Sequence, residues 1–486
     1  MSGRDANRAD REVEKGSWGE LFSGGRGLYT ALVIGGIAMH GTQILVIAII
    51  MPTIVADIGG AVYYTWAAMI YTIGSIVGAS STGAVWSKFG ARNGYALGAA
   101  IFALGTTVCA LAPDMATLVV ARGAQGWAGG LVSGGGTALI ASLYDARLRT
   151  RILALSQGAF TLCHLSGPIV GGVFATIHWW RGSFWLMVPF MVAFAILARL
   201  KIPDRLDTEA ERGRLPPFPL FRLATLAIGV FCVAATGPID NTIMRIALIA
   251  AAVGLVGLAF RLDRDAGNRL FPSRALSLTA PVGLSLWILT LHGMSQTSVT
   301  LFLPLLLQVV HGVSPLFVNF VTIIISFGWT VGTVWSSGWS GARERVALWA
   351  GPLLAFVSLV TITLVARLPA LEVLAGSAFV MGIGVGIYNV HLVARTMAGA
   401  AEGEQRVTAA ALTSIRSLGT AFGAAIAGVI ANAAGLGDAT EPEAVAHAVT
   451  SVYVFCWIPL GLAVVFMFRF LRIAMPRAAP VPASAD

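Results

Sequence analysis

The sequence predicts an all-α membrane protein of fourteen transmembrane helices: two pseudo-symmetric six-helix bundles with two inserted helices. Three observations carry this expectation: composition, the spacing of apolar runs and the placement of Lys and Arg. Of 486 residues, 57% are hydrophobic and only 11% charged, with a mean hydropathy of +0.80. A soluble domain carries about 25% charged residues, and a chain of this length would saturate a water-facing core first. The surplus apolar surface therefore faces lipid.

A helix needs about 20 apolar residues to cross the hydrocarbon. On that scale the spans fall at 29–51, 63–86, 93–112, 115–140, 151–176, 181–200, 221–238, 243–262, 281–310, 315–338, 346–367, 370–396, 406–434 and 445–472. A membrane barrel would instead alternate in ten-residue segments. The polar stretches 201–220 and 261–280 flank two spans, which leaves six helices, then two, then six. The expected organisation is a tail at 1–28, a bundle at 29–200, a linker with two extra helices at 201–280, a bundle at 281–472 and a tail at 473–486. The first tail is charged and has no short apolar stretch with a cleavage site, so the first span reads as an uncleaved anchor.

Lys and Arg accumulate on the cytoplasmic side of membrane proteins. With the N-terminus inside, inner loops hold Lys88, Arg92, Arg147, Arg149, Arg151, Arg199, Lys201, Arg222, Arg261, Arg264, Arg269, Arg343, Arg345, Arg395 and Arg406, among others. Outer loops hold Arg181, Arg245 and Arg367. Both termini are therefore expected in the cytoplasm, at a bacterial inner membrane. The net charge of +9 becomes a topology signal, and no nucleic-acid partner is implied.

An internal echo supports duplication. WSKFGARNGYAL at 86–97 resembles WSGARERVAL at 339–348, each after the second helix of its six-helix block. Matched segments in two halves mark transporters built from repeats. The four cysteines, Cys109, Cys163, Cys232 and Cys456, lie in apolar runs without ligand spacing, so neither a metal nor a disulfide framework is expected. No phosphate-binding GxxxxGK[ST], HExxH or GxSxG occurs, so no enzyme and no cofactor is expected.

Several segments resemble the major facilitator superfamily, specifically its fourteen-helix drug–proton antiporter branch, over roughly 29–472. They are IIMPTIVADIGG (49–60), GAVWSKFGARNG (83–94), RGAQGWAGG (122–130), LSGPIVGGVF (165–174), WWRGSFWLMVP (179–189), FLPLLLQVVHGVSP (302–315) and IRSLGTAFGAAIAG (415–428). Three positions depart from the branch. Gln43 stands where a first-helix acid is usual, Ser87 replaces the loop Asp, and Cys163 replaces the first Gly of the fifth-helix signature. Ser87 is expected to cap a helix N-terminus instead.

Polar residues inside spans are functional candidates because desolvating them is costly. The set here is His40, Gln43, Arg122, Gln125, His164, His292, Gln296, Asn389, His391 and Arg416, with no Asp or Glu in the middle of any span. The resemblance implies that helices one, four, nine and twelve line a central cavity, and each carries a His or Arg. Substrate-binding candidates are His40, Gln43, Arg122, Gln125, His292, Gln296, Asn389 and His391. Arg122 reads either as a cavity residue or as a structural one bonded to carbonyls; Arg416 reads as structural. Histidine titrates near neutral pH, which makes His40, His292 and His391 the proton-coupling candidates. Lys88 and Arg92 are candidate latches, and Gly167, Pro168, Gly171 and Gly172 a candidate gate built on close contact and a bend.

The expected function is proton-coupled efflux of a small organic solute by a secondary active transporter acting as a monomer. An anionic or zwitterionic solute is favoured, because Arg forks bind carboxylate and phosphate. Broad multidrug efflux is the second expectation, and a non-transporting receptor or scaffold the third.

Overall fold

A computed structural model describes residues 19–475 apart from 24–25, 145, 204–218, 240, 403 and 439–440. The side chains of Arg147, Arg149, Arg151, His164 and Arg406 lie outside the described residues, as do both tail ends. The described residues form fourteen α-helices and no strands. They are α1 (Arg26–Ile58), α2 (Trp66–Phe89), α3 (Ala91–Leu111), α4 (Met115–Leu143), α5 (Ala146–Thr176), α6 (Trp180–Lys201), α7 (Leu220–Ala235), α8 (Thr242–Arg264), α9 (Pro281–Leu305), α10 (Pro315–Ser336), α11 (Ala342–Val365), α12 (Leu371–Ala398), α13 (Gln405–Ala433) and α14 (Pro442–Ala474). A π-helical turn, Leu306–Val310, extends α9.

Helix starts obey local chemistry. The Asp114 carboxylate accepts from Thr117 N at 2.8 Å and Asn241 Oδ1 from Met244 N at 3.1 Å, satisfying first-turn donors of α4 and α8. Pro281, Pro315 and Pro442 open α9, α10 and α14, where a missing N–H is harmless. Eleven helices, all but α4, α5 and α7, are long and apolar enough to cross a membrane among the described residues. Several helices overrun the expected spans: α1 covers 33 residues, because polar ends beyond the hydrocarbon still complete helical turns.

Two compact units emerge: 1–58 with 70–220, and 59–69 with 221–486. In the first, α1 packs on α5 and α4, and α3 on α4 and α6. In the second, α9 packs on α13 and α14, α12 on α10 and α11, and α11 on α14. Three pairings thus recur: α1–α5 as α9–α13, α3–α4 as α11–α12, and α3–α6 as α11–α14.

The recurrence is written in glycine. Lipid tails are as apolar as Leu, so membrane helices associate through close packing more than through the hydrophobic effect. On α2, a Cβ at Gly78 would stand 1.9 Å from the Trp127 carbonyl O, and on α4, Cβ atoms at Gly126 and Gly130 would stand 2.2 Å and 2.0 Å from the carbonyls of Tyr71 and Ser75. The second unit repeats this. Cβ atoms added at Gly328 and Gly332 on α10 would strike the carbonyls of Phe379 and Ile383, and Cβ atoms added at Gly382 and Gly386 on α12 would strike those of Ile325 and Trp329. The α1–α5 contact uses Gly167 and Gly171, against Leu45 and Ile49; the α9–α13 contact uses Gly419 and Gly423, against Thr290 and Met294.

The echo at 86–97 and 339–348 has a structural counterpart. Gly90 and Gly341 precede α3 and α11 with φ of 80° and 60°, a region that favours glycine. Just inside those helices, Arg92 Nε donates to the Ile202 carbonyl and Arg345 Nη2 to the Met475 carbonyl. Ile202 and Met475 are the residues that end α6 and α14, so each arginine ties a third helix to the orphan carbonyls of a sixth.

The inserted pair has its own fastening. Arg222 on α7 is ion-paired to Asp263 near the end of α8, and its guanidinium donates to Asn268 Oδ1 at 2.5 Å and Asn268 O at 3.1 Å. Asp263 also accepts from Leu270 N and Phe271 N at 2.8 and 2.9 Å. A buried ion pair is tolerated when its remaining polar atoms are bonded in this way. Most of α8 is exposed, including Ile243 and Val253.

Gly78→Ala and Gly386→Ala should each destabilise the detergent-solubilised protein by about 1–3 kcal/mol, the usual cost of overpacking. Gly254→Ala, on α8 with nothing within 4 Å of the added Cβ, should leave the melting temperature unchanged; equal melting of all three variants would contradict the packing described.

Candidate functional site

Each unit holds a group of polar side chains away from its helix ends. In the first, helical spacing puts His40 and Gln43 on one face of α1 and Arg122 and Gln125 on one face of α4. Tyr71 of α2 joins them. Its hydroxyl lies 2.8 Å from His40 Nδ1 and donates to the His40 carbonyl at 3.1 Å. Tyrosine has one proton, so the consistent assignment has His40 Nδ1–H donating to Tyr71 Oη, which makes Nε2 the acceptor nitrogen.

Arg122 is fully buried. Its Nη1 donates to Gln125 Oε1 at 2.6 Å and approaches Gln43 Oε1 at 3.5 Å, and its Nη2 donates to the Gln43 carbonyl at 3.2 Å. The guanidinium also lies 4.0 Å from the centroid of the Tyr71 ring. Cation–π contact and charge-assisted hydrogen bonds offset part of the desolvation cost. Gln125 Nε2 donates onward to Thr106 Oγ1 at 2.8 Å, and Thr106 to the Phe102 carbonyl at 2.7 Å. Gln43 Nε2 is buried with no hydrogen-bond partner among the described residues.

The second cluster starts on α9, where His292 and Gln296 are one turn apart. His292 Nε2 lies 3.1 Å from Gln296 Oε1, so Nε2 carries the proton and Nδ1 is left as a buried acceptor without a partner among the described residues. The His292 ring meets Tyr388 edge-to-face at 5.6 Å. Arg416 of α13 donates through Nη2 to Asn389 Oδ1 of α12 at 2.8 Å and lies 5.8 Å from the Trp329 ring centroid. His391 stands apart from these pairs: its Nε2–H donates to the Ser336 carbonyl of α10 at 2.9 Å.

The structure thus brings together His40, Gln43, Arg122 and Gln125, and pairs His292 with Gln296 and Asn389 with Arg416. Tyr71, Trp329 and Tyr388 complete the clusters and are not among the sequence candidates. A mid-span aromatic usually reads as packing; only a hydroxyl or indole beside small residues marks it.

Among the described residues, acidic side chains are absent from the middle of the helices. Asp57, Asp263, Glu344, Glu372 and Glu443, which fall within helices, all lie within three residues of an end. Asp57 accepts from Arg181 and from Trp180 Nε1 at 3.0 Å, and Glu344 is bound bidentately by Arg395 at 2.6 and 2.5 Å. Among the gate candidates, Lys88 is exposed with its ammonium 5.3 Å from the Phe89 ring centroid, and Arg92 holds Ile202. Gly167, Pro168, Gly171 and Gly172 are buried on α5. One expectation is corrected: Ser87 does not cap α3, because its hydroxyl donates back to the Ala84 carbonyl at 2.9 Å and Gly90 occupies the cap position.

Tyr71→Phe keeps the ring under Arg122 and removes the hydroxyl, so thermal unfolding in detergent should show a loss of about 1 kcal/mol. Tyr71→Ala should cost about 3–5 kcal/mol, as for other buried aromatics; identical melting of the two variants would contradict this role for the ring.

The Major Facilitator Superfamily model matches residues 32–424 of the chain. Two proteins of Mycobacterium tuberculosis, from strains CDC 1551 / Oshkosh and ATCC 25618 / H37Rv, are each named a probable multidrug-efflux transporter. Each is 32% identical to this chain over 441 residues, covering 87% of it and 92% of the relative. Among solved structures, a bacterial homologue of the human lysosomal transporter Spinster, inward-facing and unoccupied, has a TM-score of 0.64 at 14% identity, covering 94% of this chain and all of that one (100%). A D-xylose–proton symporter has a TM-score of 0.60 at 14% identity, covering 93% of this chain and 99% of that one. These structures show the fold. The family match over most of the chain, together with the full-length relatives, makes this protein a multi-pass membrane transporter belonging to the Major Facilitator Superfamily.

Proposed function

We propose that this transporter exports a small organic solute by alternating access, in exchange for protons, and that the solute is anionic or zwitterionic. The observation that carries the reading is the sign of the buried chemistry. Mid-helix polar groups are Arg, His, Gln, Asn and Tyr, whereas the helical acids sit at helix ends. A cavity wall of this kind favours carboxylate or phosphate, which the planar Arg fork binds bidentately. His40, Gln43, Arg122, Gln125, His292, Gln296, Asn389 and His391 are the proposed binding groups, and Arg416 joins them through Asn389. The unpartnered Gln43 Nε2 and His292 Nδ1 supply one donor and one acceptor for a solute.

Efflux is supported by the mycobacterial relatives' names, and the sequence signatures support the fourteen-helix drug–proton antiporter branch. Protons are carried by His40, His292 and His391, the histidines of α1, α9 and α12. The Lys and Arg distribution supports cytoplasmic termini and, with the mycobacterial relatives, a bacterial inner membrane. Function as a monomer, latching by Lys88 and Arg92 and gating by Gly167, Pro168, Gly171 and Gly172 complete the proposal. A second reading, broad multidrug efflux, is favoured by the 32% identity to the named multidrug-efflux relatives and by the aromatic rings beside Arg122 and Arg416.

Flux of labelled organic anions, zwitterions and cations into proteoliposomes under an imposed pH gradient tests the proposal. Anions or zwitterions should be moved, and Arg122→Gln or Arg416→Gln should weaken them about tenfold or more, the worth of one charge-assisted hydrogen bond. Preferential flux of lipophilic cations, indifferent to both variants, supports the multidrug reading instead. In the triple variant His40→Gln, His292→Gln, His391→Gln, solute exchange should persist without being driven by the pH gradient; full gradient-driven flux in that variant sinks the histidine assignment.

A further inference from the structure

We propose that the first unit binds an anionic glycerophospholipid in a groove between the start of α3 and the end of α6. The groove has a volume of about 460 Å³ and opens on the outside of the unit. Ala96 and Ala100 of α3 and Ala195 of α6 line it, and these short side chains leave space between the two helices. Its wall is almost wholly apolar, and polar groups stand where the two helices end: Asn93 in the first turn of α3 and Arg199 in the last turn of α6. Arg199 is exposed and has no hydrogen-bond or ion-pair partner among the described residues, and the same holds for Asn93.

Chemistry identifies the occupant. An apolar slot along a transmembrane unit accepts an acyl chain. A guanidinium at its polar end matches the two free oxygens of a phosphodiester, and the Asn93 amide adds a neutral donor. Basic pockets between transmembrane helices at the membrane surface recognise anionic headgroups in this way. Exposed Lys201 and Lys88 raise the positive potential at the same end. A second copy of the chain fits less well, because a twofold contact through this groove sets one basic end against another. Arg92 holds the Ile202 carbonyl beside the groove, so the two helix ends that bracket the headgroup are already fastened to each other.

The test is native mass spectrometry of the purified full chain, loaded with phosphatidylglycerol or with phosphatidylcholine of the same acyl chains. The wild type should retain phosphatidylglycerol over phosphatidylcholine. Arg199→Gln should lower that retention about fivefold, the scale of one basic side chain at an anionic surface. Arg472→Gln, at the exposed end of α14, should leave it unchanged. Ala100→Trp, which fills the slot, should lower retention of both lipids, and Arg199→Gln decides the question alone should that variant not fold. Equal losses for Arg199→Gln and Arg472→Gln would overturn the proposal, since they would show diffuse surface attraction. Equal retention of the two lipids, or a dimer that Arg199→Gln dissociates, would overturn it too.

Discussion

Backbone against backbone is the contact on which this molecule depends. In an apolar solvent the chain must satisfy its peptide groups inside helices, and those helices have little to gain from burying more hydrocarbon. The remaining source of attraction is proximity, and proximity requires glycine. At the α2–α4 crossing the same glycines that admit a neighbouring carbonyl also shape the polar cluster. A Cβ at Gly126 would strike the Tyr71 carbonyl, and one at Gly129 would come within 2.6 Å of His40 Nδ1 and 3.0 Å of Tyr71 Oη. Remove the glycines and the histidine–tyrosine pair has no room.

The polar clusters depend on that tight framework. Arg122 is held by amide oxygens and an aromatic face, which keep its charge in place while leaving its sign unneutralised by those particular partners. The low dielectric inside a bundle enlarges every electrostatic term, so a buried guanidinium exerts a field that a surface one cannot. The second unit reaches a comparable end by different residues: Arg416 sits on α13, where the first unit's equivalent helix, α5, carries the Gly167–Pro168 segment. The duplication therefore preserves helix contacts more faithfully than it preserves chemistry.

Much of this is legible in the sequence. Long apolar runs locate the helices, because lipid imposes one length scale on every span. The echo at 86–97 and 339–348 is readable because Gly90 and Gly341 meet the same backbone demand before α3 and α11. The polar candidates emerge because a buried His or Arg is rare enough to stand out. Pairing across helices escapes a sequence reading. Tyr71, Trp329 and Tyr388 look like packing until their neighbours are known, and the glycine pairs on α2, α4, α10 and α12 are hidden in a chain with 56 glycines. Ser87 misleads because a hydroxyl one turn from a helix end has two backbone partners within reach, and residue type does not choose between them.

Arg92 and Arg345 each bind the carbonyl that ends a sixth helix. Each bundle is thus fastened from its third helix to its last at the point where that last helix ends. The α7–α8 pair has a lock of its own in Arg222, Asp263 and Asn268. That lock shares no residue with either arginine fastening, so strain in the hairpin has no direct bonded route into α3 or α11 through them.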